Sequence, residues 1–124
     1  MKLRTFFIIA AMVALVYALG LLLVPGTLDT MYGFGASAGE KLQSRLFGIG
    51  LLSLGIIYWQ GRDLSGVSSR PIITGSLIGN VVGFVVTLVG TFRGTMNGMG
   101  WSAVIIYLLL SVGFAYFQFM EPAK

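Results

Sequence analysis

The sequence contains neither cysteine nor histidine. Without cysteine there is no disulfide, no thiolate nucleophile and no thiolate-held metal or iron–sulfur cluster. Without histidine the commonest general base is missing, and with it the Ser-His and Cys-His pairs and the preferred nitrogen ligand of zinc and haem iron. Acids are scarce as well: Asp29, Glu40, Asp63 and Glu121 are all there are, and none falls inside an apolar run. Proline occurs only at positions 25, 71 and 122, each at the margin of such a run. These absences argue against an enzyme and predict no bound cofactor and no metal site.

What is present is apolar. Of 124 residues, 56% are hydrophobic and 10% charged, against roughly half and a quarter in soluble domains. The surplus predicts lipid as the solvent. The net charge of +4 comes from eight cations spread singly along the chain. Nucleic-acid binding needs a basic patch from which counterions are released, and no such patch exists, so nucleic acid is excluded as a partner. Dispersed cations fit loop ends and head-group anchors better.

Four apolar runs divide the chain. The first, Thr5 to Val24, is about 20 residues, which at 1.5 Å per residue crosses a hydrocarbon layer of roughly 30 Å. It is long for a signal-peptide core and no A-x-A site follows, so it is expected to stay as a span. Pro25-Gly26 ends it, and residues 25–40, rich in Gly, Ser and Thr, are expected to lie as a loop at the interface. The second run, 42–60, carries Arg45 one turn in, which should snorkel outward or pair. The third opens at Pro71, a favoured first helical position, and continues uncharged through Phe92. The fourth covers 101–120 and is closed by Glu121-Pro122.

The expected fold is therefore an all-α integral membrane four-helix bundle, one transmembrane domain over residues 1–124, with helices at about 5–24, 42–60, 71–92 and 101–120. An even number of spans puts Lys2, Arg4, Arg62, Arg70 and Lys124 on one side and Lys41, Arg45 and Arg93 on the other. The excess of Lys and Arg predicts cytoplasmic N and C termini and a multi-pass protein of the cell membrane.

Helices in lipid associate by close backbone approach and interhelical hydrogen bonds, so small residues mark seams. Gly75, Gly79 and Gly83 recur every fourth residue on the third helix and predict a helix-packing face, within one bundle or between two copies in a homodimer. Ala10, Ala14 and Ala18 repeat the spacing on the first helix, and Ser44, Gly48 and Gly55 offer a counterpart on the second. Asn80 lies mid-span, where an unpaired amide costs several kcal/mol. It should face the bundle and bond Tyr17 or Tyr107, or else line a cavity for a small polar-headed molecule.

Glu40, Lys41, Gln43 and Arg45 form the densest polar cluster. Either Glu40 and Asp29 neutralise Arg45 as an anchor, or Arg45 and the Tyr32–Phe34 loop hold a lipid head group or a quinone. The candidate lipid- or ligand-binding residues are thus Arg45, Glu40, Tyr32 and Asn80. Gly33-x-Gly35-x-x-Ala38 and Gly98-x-Gly100-x-x-Ala103 fit a loose dinucleotide pattern, but neither follows a strand in a βαβ unit. Small multidrug exporters titrate a carboxylate in their first helix, which here has no acid. Leu88-Val-Gly-Thr-Phe-Arg93 resembles a segment of four-helix fluoride channels, yet their Gly-rich stretch with an embedded arginine in the amino-terminal half is missing.

Pro25, Tyr32-Gly33, Arg45-Leu-Phe-Gly48, Tyr58-Trp59 ahead of Arg62-Asp63, Asn80, Gly100-Trp101 and Gly113-Phe-Ala-Tyr116 follow one another along nearly the whole chain. In that order they resemble the small DoxX-like four-helix membrane proteins of bacteria and archaea. Some of those are subunits of quinone-linked oxidoreductases, so the resemblance implies an accessory membrane role beside other subunits. It carries no catalytic residue over. A small transporter or ion channel with a polar pathway near Asn80 is the competing expectation.

Overall fold

The computed structural model describes residues 2–120; Glu121 and Lys124, used above for the last helix end and for the charge balance, lie outside them. The described residues form five α-helices and no strand: α1 Leu3–Leu23, α2 Pro25–Met31, α3 Ala38–Gln60, α4 Arg70–Phe92 and α5 Gly100–Ala115. Short 3-10 turns, Gly61–Asp63 and Gly66–Ser69, connect α3 to α4, and a π turn, Tyr116–Met120, prolongs α5. Taken with these turns, four helical segments are long and apolar enough to cross a membrane: Leu3–Leu23, Ala38–Asp63, Gly66–Phe92 and Gly100–Met120.

Local chemistry sets the boundaries. The proline ring restricts the residue before it, and Val24, at φ −134° and ψ 57°, leaves the helical region there. Pro25 then starts a new helix at the position where its missing N–H costs nothing. So α2 replaces part of the expected loop, and it folds back on α1: a Cβ at Gly20 would stand 2.7 Å from Leu28 Cδ1. A reciprocal cap starts α3 ahead of the expected position 42. The Glu40 N–H donates to Ser37 Oγ at 3.2 Å, and the Ser37 N–H donates to Glu40 Oε1 at 3.3 Å.

The bundle is built of two helix pairs, α1 against α3 and α4 against α5. In the first, Gly48 admits Leu21 and the Ala18 carbonyl, and Gly55 admits Leu15. In the second, Gly83 lies under the Tyr107 ring and Gly100 beside Thr91. Aromatic side chains lock the pairs together at one end, where Phe6, Phe7, Tyr58, Phe114 and Phe117 form the buried core. Phe6 meets Phe114 edge-on at 4.7 Å between centroids, and Tyr58 stacks on Phe114 at 5.7 Å. Such pairs contribute roughly 0.5–1.5 kcal/mol each beyond the area they bury.

At the same end Arg4 Nε pairs with Asp63 Oδ1 at 2.8 Å, and Arg70 donates to the Gln118 carbonyl at 2.6 Å. The N-terminal end of α1, the α3–α4 link and the end of α5 therefore share one face of the bundle. Opposite them, Asn97 donates its side-chain amide to the Met31 carbonyl and its backbone N–H to the Tyr32 carbonyl, both at 3.0 Å. Gly33 turns beneath Asn97 at φ 88°, a conformation that favours glycine. The outer surface is apolar, as α4 illustrates with exposed Val82, Val85, Val86 and Val89. Lipid tails accommodate such a surface, whereas water would not.

Candidate ligand-binding cavity

Above the aromatic core, between the two helix pairs, lies a cavity of about 450 Å³, within the range of roughly 300–1,000 Å³ of small-molecule sites. Val13 of α1, Leu51 and Leu54 of α3, and Ile106 and Leu110 of α5 give it apolar walls. Its polar groups include one cluster at each end, with Thr87 and Tyr107 also in the lining.

The floor is Tyr58, Ser76 and Asn80. The Tyr58 hydroxyl donates to Ser76 Oγ at 2.7 Å, and Asn80 Nδ2 donates to the Ser76 carbonyl at 2.7 Å. Asn80 thus lines the cavity, the second of its two expected roles, and its partner is neither Tyr17 nor Tyr107. A carbonyl one turn back on its own helix is within reach without any interhelical fit. Phe7 and Phe114, both 0% exposed, seal the space between this floor and the end of the bundle.

The roof is made by α2 and the turn after it. The Tyr32 hydroxyl lies 2.9 Å from that of Tyr17 and 3.2 Å from Ser102 Oγ, which ties the turn to α1 and α5. Asp29 belongs to the cavity wall and is 6% exposed. Its Oδ1 accepts from the Ser44 hydroxyl. Its Oδ2 is buried and has no hydrogen-bond partner among the described residues.

Two expected arrangements are corrected. Within the bundle Gly75 and Gly79 seat no neighbouring helix: a Cβ added to either meets nothing within 4 Å, and both line the cavity while remaining exposed. Of that stripe, Gly83 alone seats a neighbour, with a Cβ placed 2.5 Å from Tyr107 Cε1. The drift of a four-residue spacing around a 3.6-residue turn carries the stripe off one face and onto the next. Since Phe47 of α3 is also exposed and lines the cavity, the opening lies between α3 and α4.

The second correction concerns Arg45 and Glu40, which do not line the cavity. Arg45 is exposed, with its Nε donating to the Leu22 carbonyl at 3.5 Å, and Glu40 is engaged in the Ser37 cap. Neighbouring residues on a helix point about 100° apart. Ser44, facing inward, therefore takes Asp29, and Arg45 is left outside. Tyr32 and Phe34 belong to the cavity without Arg45.

Asp29 and Ser44 are cavity-lining residues that the sequence alone placed elsewhere, Asp29 opposite Arg45 and Ser44 on a helix seam. The usable signal was Pro25 as a helix start, which places Asp29 four residues on, on the same face, and both are buried. Among the described residues no group of three or more His, Cys, Asp or Glu is placed to hold a metal ion. No protein-family model matches the chain, and neither a curated protein nor a solved structure does.

Proposed function

We propose that this chain is a multi-pass protein of the cell membrane, with cytoplasmic termini, that serves as a non-catalytic accessory or scaffold subunit by holding an amphiphile within its bundle. The cavity carries this reading. It has mostly apolar walls with a polar cluster at each end, which fits a lipid or quinone with a head and a tail. Its opening between α3 and α4 faces the side of the bundle, where Gly75 and Gly79 leave room for a chain to enter from the bilayer. The balance of Lys and Arg supports the orientation, and the motif order that resembles DoxX-like proteins supports an accessory role beside other subunits.

A transport pathway past Asn80 is the weaker reading, because a solute leaving the floor meets Phe7 and Phe114 packed without exposed surface. The test is purification of the full chain from its native membrane in mild detergent, followed by organic extraction and mass spectrometry. A lipid or quinone retained in stoichiometric amount supports the proposal. An extract no different from that of an unrelated four-span protein counts against it, and a specific solute flux in liposomes that is lost in Asn80→Leu would favour transport.

A further inference from the structure

The polar groups at the floor are bonded to one another, whereas the roof contains a carboxylate with one oxygen unsatisfied. Asp29 is 6% exposed, Ser44 occupies its Oδ1, and Oδ2 has no partner among the described residues. Burying a carboxylate without full hydrogen bonding is expensive, and the expense falls when a cation donates to the open oxygen. Among the described residues no Lys or Arg nitrogen lies within ion-pair distance of Asp29: Arg45 bonds the Leu22 carbonyl, Lys41 lies with its Cε and Nζ beside Gly26 of α2, and the ion pair joins Arg4 to Asp63 at the other end of the bundle. Asp29 forms part of the cavity wall, and the χ2 torsion of an aspartate is soft, so its carboxylate can turn an oxygen toward a donor in the cavity. Tyr32 and Phe34 line the same end and offer aromatic faces, which attract ammonium groups.

We propose that the cavity selects amphiphiles bearing an N–H ammonium head, held at Asp29 with the apolar tail running along Leu51 and Leu54 toward the Tyr58 floor. This rests on the amphiphile-holding reading and narrows it to one head-group chemistry. An oxidised quinone offers only acceptors and cannot satisfy a carboxylate oxygen. The ammonium can come from an aminophospholipid head group or from a free lipophilic amine.

The experiment is native mass spectrometry of the full chain released from maltoside micelles after titration at neutral pH with dodecylamine, dodecanol or dodecyl sulfate. Parallel titrations with phosphatidylethanolamine and phosphatidylcholine separate the two sources, since only the former has ammonium N–H donors. The expected result is saturable retention of dodecylamine at least about tenfold tighter than of dodecanol, as a charge-assisted hydrogen bond provides. That preference should vanish in Asp29→Asn, a near-isosteric change whose fold is checked by circular dichroism, while dodecanol binding stays. Preference for phosphatidylethanolamine over phosphatidylcholine assigns the head group to a lipid, and preference for dodecylamine alone assigns it to a free amine. Equal retention of dodecylamine and dodecanol, both reduced by the cavity-filling Gly79→Leu, overturns the ammonium assignment and leaves the amphiphile reading intact. Saturable retention of none of the probes overturns both.

Discussion

Tyr58 and Ser76 meet across the two halves of the bundle, the phenol hydroxyl of α3 donating to Ser76 Oγ of α4 at 2.7 Å while Asn80 occupies the Ser76 carbonyl. One serine thereby satisfies two buried polar side chains. It also fixes the floor of the cavity at the level where the aromatic core begins.

Removing either partner should destabilise the chain unequally. Ser76→Ala leaves the Tyr58 hydroxyl buried without its acceptor, so it should cost more than Tyr58→Phe, after which the serine can bond its own helix. The coupling measured by a double-mutant cycle should be roughly 0.6–1.7 kcal/mol, the range of interhelical hydrogen bonds in membranes. Thermal unfolding in detergent of the two single variants and the double variant measures it. Strict additivity would mean that the bond contributes nothing.

The glycines of α4 should respond in opposite ways. Gly75→Ala puts its methyl group into open space and should be neutral or stabilising by up to about 1 kcal/mol, because alanine is the better helix former. Gly83→Ala drives a methyl group into the Tyr107 ring and should cost about 1–3 kcal/mol through overpacking. The melting temperature of Gly75→Ala should therefore lie several degrees above that of Gly83→Ala. Equal losses would return Gly75 to a packing seam.

Much of this architecture was legible in the sequence, and the parts that were not have physical causes. The α4 limits follow from Pro71 at its start and Arg93 beyond its end, features that act locally. Three of the four spans follow from uncharged runs of membrane length, and the second from an apolar run that carries Arg45 near its start. The early start of α3 was also present as Ser37 and Glu40 three residues apart, but the glycines around them read as loop. What a single sequence hides is which way a connection folds. Residues 25–31 have the composition of an interface loop, yet Pro25 starts a helix that turns Asp29 inward. Asn80 was legible as a cavity candidate because it is an amide inside an apolar run, and Tyr32 because it is an aromatic in the segment expected at the interface. Arg45 lies outside the cavity, in keeping with the expectation that it snorkels outward or pairs, while its neighbour Ser44 faces inward; a 100° difference in direction is invisible to a count of polar residues.

The Ser37 cap predicts a modest, local loss. Ser37→Ala removes the acceptor for the Glu40 N–H and should cost about 1 kcal/mol. Glu40→Gln should be milder, since glutamine also completes the reciprocal cap. Hydrogen exchange at the first turn of α3 reads both, and unchanged protection in Ser37→Ala would exclude the cap as a stabilising element.

Arg45→Ala should leave any retained amphiphile in place, because Arg45 does not line the cavity. Lipid analysis of the purified variant checks this. A selective loss of ligand would restore a head-group site outside the bundle.

The most direct test of an amphiphile-holding cavity compares two substitutions into open space. Gly79→Leu extends into the cavity, whereas Gly50→Leu, at an exposed glycine of α3 that also meets nothing within 4 Å, lies outside the cavity lining. Quantitative mass spectrometry of amphiphile retained per chain should show it depleted severalfold in Gly79→Leu and unchanged in Gly50→Leu. Equal retention by the wild type and both variants would contradict the account.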